Sequence, residues 1–90
     1  MDFARRHPRA AQPLRDWHAV VSRADWASPA DVKAMFGKGV DFVGDNRIIF
    51  DIRRNEFRLV VHVAYAYGRI LIKFVGTHAE YDRIDPETVR

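Results

Sequence analysis

Near the end of the chain, the run Phe74-Val75-Gly76-Thr77-His78-Ala79-Glu80-Tyr81-Asp82 passes from apolar residues into a histidine, a glutamate, a tyrosine and an aspartate. Each of these four side chains can move a proton or hold a polar ligand. Histidine exchanges its proton near neutrality, and a tyrosine at a sheet edge can stack a base. Their chemistry depends on the neighbours the fold brings to them, and the best-placed neighbours are cations. Residues 47–75 carry Arg47, Arg53, Arg54, Arg58, Arg69 and Lys73 against only Asp51 and Glu56. Residues 1–46 carry seven basic and six acidic groups, and residues 76–90 two basic and four acidic. The positive excess of the chain, +3 overall, therefore belongs to one segment. Such concentration points to a polyanionic partner, and nucleic acid is the commonest; scattered solubilising charge is the competing reading.

The elements that must position these groups fall into two halves. With 90 residues, the chain is expected to form one domain with one modest core. It has no cysteine, so neither a disulfide nor a thiolate metal site can staple it. No run approaches the ~18 apolar residues of a membrane span, and MDFARRHPRA has no apolar signal core, so a soluble, cytoplasmic protein is expected. After Pro13, suited to a first helical turn, Leu14, Trp17, Val20, Val21 and Ala24 recur at helix spacing. Ser28-Pro29-Ala30-Asp31 announces a second helix with Val32, Met35 and Phe36 as its apolar stripe and Gly37 as its end. The ten residues before Pro13 can hold part of an earlier helix. Trp17 and Trp26 read as core or interface residues.

From Arg47 the period changes to two. RIIFDIR, FRLVVHVAYAY and RILIKFV are separated by turn-like breaks at Arg54-Asn55 and Tyr67-Gly68. The expected fold is α+β: two N-terminal helices packed on one face of a small antiparallel three-stranded meander, followed by a short C-terminal segment. Alternation assigns Ile48, Phe50, Ile52, Phe57, Leu59, Val61, Val63, Ile70, Ile72 and Phe74 to the helix-covered face. Arg47, Asp51, Arg53, Arg58, His62, Arg69 and Lys73 fall on the other. Two-residue turns predict the cross-strand rows Arg47–His62–Lys73 and Asp51–Arg58–Thr77, the second ending beside His78.

A cationic sheet face with a histidine and a tyrosine at its rim suits phosphodiester chemistry. Arginine offers a planar fork of donors to phosphate oxygens and stabilises the charge that grows in the transition state. RNA already contains its nucleophile, the 2′-hydroxyl, and the chain has no spaced carboxylate cluster of the two-metal kind, so no cofactor or metal is expected. Arg58 and Lys73 are candidates to hold the scissile phosphate, His78 to act as acid or base, and Tyr81 to position the nucleotide or assist proton transfer. Arg47, Arg53, Arg54, Asn55 and His62 are candidate RNA contacts. Plainer readings stand beside these. Arg58 opposite Asp51 makes a cross-strand ion pair, worth under ~1 kcal/mol if exposed. His62 can be a partly buried spacer, His78 a cap and Tyr81 a packing residue. Glu80, Asp82 and Asp85 read as solvating the C-terminal turn.

The hairpin FDIRRNEFRLVVHVAY and the ending IKFVGTHAEYDRID resemble the HigB toxins of bacterial type II toxin–antitoxin systems, within the RelE-like group of messenger-RNA interferases. The likeness continues through WASPADVKAMF and GDNRIIFDI. It implies a small α/β toxin that cleaves messenger RNA in the ribosomal A site. It also implies a HigA-type helix-turn-helix antitoxin that neutralises the toxin and through which operator DNA is met. In such toxins a middle-strand arginine contacts phosphate, and Arg58 of NEFRLV stands at that place; His78 and Tyr81 occupy the region that completes the site in several relatives. The chain departs from them at Asp51, where some relatives carry lysine, so the general base does not carry over; Arg53, Arg54 or His78 can substitute. Relatives also often open with a short strand, whereas this chain opens at MDFARRHP, inside what would be the first helix. A non-catalytic RNA- or ribosome-binding module, or a degenerate toxin that only binds its antitoxin, would use the same face.

Overall fold

A computed structural model describes residues 2–44, 46–53 and 56–89. Three helices precede the sheet: α1 (Asp2–Arg6), α2 (Pro8–Ser22) and α3 (Pro29–Phe36). Helix α2 begins earlier than expected, because Pro8 rather than Pro13 takes the first-turn position where a missing N–H costs nothing. Pro13 lies inside the helix. The apolar stripe buries Ala10, Leu14 and Trp17, with Val21 and Ala24 packed at its margin and Val20 left exposed. At the start of α3 the Asp31 carboxylate accepts the Ala27 and Ser28 N–H groups at 2.8 and 3.2 Å, satisfying donors that a helix start leaves open. Gly37, at φ 61°, ends the helix in a backbone region that glycine enters without strain.

The sheet has four antiparallel strands in sequence order, one more than the expected meander: β1 (Val40–Val43), β2 (Arg47–Ile52), β3 (Phe57–Ala64) and β4 (Arg69–Thr77). The unexpected β1 is only four residues long and buries just Val40 of them, so it shows little periodicity. Its signal was the turn composition of Gly44-Asp45-Asn46 between two apolar runs. Helices pack on the face carrying Ile48, Phe50, Ile52, Phe57, Leu59, Val61 and Val63, all buried. Phe50 centres this core, in ring contact with Trp17 at 5.4 Å, Phe36 at 4.9 Å and Trp26 at 6.4 Å.

The β2–β3 register agrees with the predicted pairs, Arg47 opposite His62 and Asp51 opposite Arg58. The β3–β4 register does not. A 3-10 turn at Tyr65–Tyr67 lengthens the connection, and a bulge between Val60 and Val61 then shifts the ladder by one residue. His62 faces Leu71, not Lys73, and Arg58 faces Gly76, not Thr77. Beyond the bulge the face of β4 is reversed. Val60 pairs with Phe74 and Leu59 with Val75, so Val75 packs against the core and Phe74 joins the opposite face. Ile72, expected in the core, is about half exposed at 47%.

The second face is not an open basic surface either. Ile49 and Val60 are buried on it, and the chain after β4 folds back over it through helix α4 (His78–Tyr81) and the segment that follows. Arg47, 7% exposed, anchors that segment by donating from Nη1 to the carbonyls of Pro86 and Val89 at 3.1 and 2.6 Å. Arg47→Ala is expected to cost about 1.5–3 kcal/mol in urea unfolding, the range for hydrogen bonds to a charged group. A surface contact to nucleic acid would leave the unfolding midpoint unchanged.

Candidate active site

Arg58 is the centre of the second face. Its even position on β3 turns it away from the helices, and its strand partners are Asp51 on one side and Gly76 on the other. Arg58 Nε stands 3.0 Å from Asp51 Oδ1, with the two side chains 14% and 27% exposed. A guanidinium held this deep requires a compensating charge, and Asp51 supplies it. Gly76 leaves the space beside Arg58 to the Phe74 ring, whose Cζ lies 2.5 Å from where a Cβ on residue 76 would stand.

The end of β4 delivers the other groups. Thr77 Oγ1 accepts the Glu80 N–H at 3.2 Å and Glu80 Oε1 accepts the Thr77 N–H at 2.9 Å, a reciprocal cap that fixes where strand becomes helix. His78 and Tyr81, three apart and hence neighbours on one side of the turn, have ring centroids 6.4 Å apart. Tyr81 lies under Arg58, whose Cζ is 5.0 Å from the ring centroid, and 6.4 Å from the Phe74 ring. His78 Nδ1 stands 3.2 Å from Asp82 Oδ2. Asp82, read from sequence as a solvating residue, is thus the partner that orients the histidine; the i, i+4 spacing was its only signal.

Burial pushes the Tyr81 phenol above its ordinary value of 10.0; Arg58 pulls it down, while Asp41, Asp82 and Asp51 add to the rise. Tyr81 is therefore a neutral hydrogen-bond donor at physiological pH. Glu80 is shifted the other way, held below the usual carboxylate range first by the Thr77 N–H, with smaller contributions from His7 and Arg6.

Arg58, His78 and Tyr81 are thus brought together. Lys73 is the extra residue of the bulge, so that it and Phe74 stand against Val60. His62, half-buried between Arg47 and Leu71, lies four residues along β3 from Arg58, about 13 Å at strand rise. Arg53 adopts a positive φ of 54° in the β2–β3 turn and donates from Nη1 to Glu56 Oε2 at 2.9 Å. Arg47 is engaged by the C-terminal segment. The candidate contacts Arg54 and Asn55 lie outside the described residues. Among the described residues no three His, Asp or Glu side chains group closely enough to hold a metal ion, and no helix is long and apolar enough to cross a membrane.

A four-stranded antiparallel sheet, helices on one face and an Arg–Tyr–His cluster on the other are the frame in which the chain meets known proteins. Residues 10–84 match a family described as the RelE-like toxic component of a toxin–antitoxin system. The chain belongs to that family, the HigB toxins, which implies an antitoxin as its partner. It is also similar to the mRNA interferase HigB of Escherichia coli O6:H1 (strain CFT073), 26% identical over 84 residues that span 92% of this chain and 82% of the relative.

The position of Tyr81 under Arg58 has a spectroscopic consequence. The phenolate absorbance that disappears in Tyr81→Phe is expected to titrate above pH 10.0, and Arg58→Gln to move that midpoint higher still by removing the charge that lowers it. Because the folded midpoint is raised, stability falls as pH climbs from the unfolded value through the folded one. A midpoint unmoved by Arg58→Gln would separate the two side chains in solution.

Proposed function

We infer that the chain is the messenger-RNA-cleaving member of its toxin–antitoxin pair, an endoribonuclease that works without metal by attack of the 2′-hydroxyl on the adjacent phosphate. The observation that carries this reading is the Arg58–Tyr81 stack beside the His78–Asp82 pair on one sheet face. It supplies an anchored cation, a neutral donor and a proton acceptor within one cluster. The name of the Escherichia coli relative, mRNA interferase, supports it independently.

In this reading Arg58, with Lys73 further along β4, holds the non-bridging oxygens and offsets the charge that builds on them. Asp51 fixes the guanidinium rather than touching RNA. His78, its Nδ1 set by Asp82, uses Nε2 to take the 2′-hydroxyl proton; the new bond from the 2′-oxygen to phosphorus forms as the bond to the 5′-oxygen breaks, leaving a 2′,3′-cyclic phosphate. Tyr81, kept protonated by burial, hydrogen-bonds the phosphate or the departing 5′-oxygen, which takes a proton from water while His78 holds the one from the 2′-hydroxyl. Codon-aligned message in the ribosomal A site is the proposed substrate. A HigA-type helix-turn-helix antitoxin is the proposed partner, and operator DNA is met only through that complex.

Expressed alone in bacteria, the chain is expected to arrest growth and to create new 5′ ends inside translated codons, mapped by primer extension on an abundant message. Arg58→Ala should abolish the new ends while the protein remains folded by circular dichroism. His78→Gln should reduce cleavage by roughly 10²–10⁴-fold, the usual contribution of a general acid or base. Growth arrest without new ends would overturn the nuclease reading in favour of a binding module.

A further inference from the structure

A second cleft opens on the other side of His78. It has a volume of about 500 Å³ and lies between the α1–α2 junction, the start of β3 and the β4–α4 turn. Its lining includes Arg6, His7, Arg9, Glu56 and His78. Nothing in the Arg58 cluster accounts for the three basic residues that α1 and α2 bring here. Their placement is built. The His7 ring is held 4.5 Å from Phe3 and 5.8 Å from Phe57, two buried members of the core, and the Arg6 guanidinium stands 6.0 Å over the Phe3 ring.

Glu56, the acidic residue of the lining, is already matched. One carboxylate oxygen lies 2.6 Å from Arg9 Nη2 and the other 2.9 Å from Arg53 Nη1, so two guanidiniums meet on one carboxylate and leave a net positive charge. The five donors of Arg9 are not exhausted by that contact. Glu80, which feels the charge of His7 and Arg6, is committed to the Thr77 N–H. Of the groups lining the cleft, Arg6 and Arg9 are cations at neutral pH and Glu56 is the anion; Arg53 joins Glu56 from outside the lining. The cleft falls in the size range of small-ligand sites, and it shares His78 with the cluster that carries the proposed chemistry.

We propose that this cleft binds a backbone phosphate of the substrate RNA next to the scissile one, with Arg6 and Arg9 as its donors and His7 as its third wall. The strand would pass from Arg58 across His78 at the start of α4 and into the cleft. A contact of this kind grips the sugar–phosphate backbone and carries no base information. The proposal rests on the ribonuclease reading and adds a binding subsite to it.

The test is equilibrium binding of a short 2′-O-methyl RNA oligonucleotide, which cannot be cleaved, by the full chain over a range of salt concentrations. Arg6→Gln/Arg9→Gln is expected to weaken binding several-fold at low salt and to flatten the log–log salt dependence by about 0.7, the value of one phosphate on a single strand. Arg6→Lys/Arg9→Lys should keep the parent slope, which separates lost charge from lost structure. Arg5→Gln, exposed on the same helix but outside the cleft, should change neither quantity. A double glutamine variant that binds like the parent would overturn the subsite while leaving the Arg58 cluster standing. Equal losses in Arg5→Gln would overturn it as well, by reducing it to diffuse surface charge. Absence of salt-dependent binding by the parent chain would remove the RNA reading itself, and the subsite with it.

Discussion

The arrangement of the site depends on the one-residue slip between β3 and β4. Without the bulge at Val60, strict alternation would bury Phe74 under the helices and leave Val75 against Arg58. With it, the core still receives Ile70 and Val75, while Phe74 crosses to the second face and lies beside Gly76. Tyr81 then has an apolar neighbour, Phe74, and a cationic one, Arg58. A bulge re-aims side chains at the cost of one ladder pairing, and here the side chains it re-aims are those of the proposed site.

Charge is placed with the same economy. Arg58 is partly buried on a face that also buries Ile49 and Val60. In such surroundings an ion pair is screened less than at an open surface, so Asp51 orients as well as neutralises. Arg47, at the start of β2, donates from Nη1 to the Pro86 and Val89 carbonyls and serves to close the C-terminal segment over the sheet. Arg47 on β2 and Arg58 on β3, in cross-strand rows four residues apart, thus have different work: one locks the cover, the other is presented beside Tyr81. Glu56 performs a third task, joining α2 to the β2–β3 turn through Arg9 and Arg53.

Membership of the HigB toxins places this geometry in a protein that acts as the toxic half of a pair. The chemistry proposed for it asks little of so small a chain, since RNA brings its own nucleophile and the protein must only align it, stabilise charge and handle protons. A cation fixed by a neighbouring carboxylate, a tyrosine kept neutral and a histidine oriented by an aspartate answer those three needs.

Local sequence determined a good deal of this protein. The change of period at Arg47, the Ser28–Asp31 helix start, the stop at Gly37 and the pairing of Asp51 with Arg58 all follow from neighbours within a few residues, where side-chain spacing and turn chemistry act directly. The THAEYD segment was legible as a candidate site for the same reason. The fourth strand escaped because four residues with one buried position carry almost no periodicity, and Pro13 misled because either proline could open the helix. What only the tertiary structure decided were the relations between distant segments. The bulge that exchanges Phe74 for Val75 is a compromise between a lengthened turn and the packing of both faces. The engagement of Arg47 by Pro86 and Val89 and the meeting of Arg9 with Glu56 need chain segments 39 or more residues apart to arrive together. No periodicity records such contacts, because they are set by how the whole chain closes on its core.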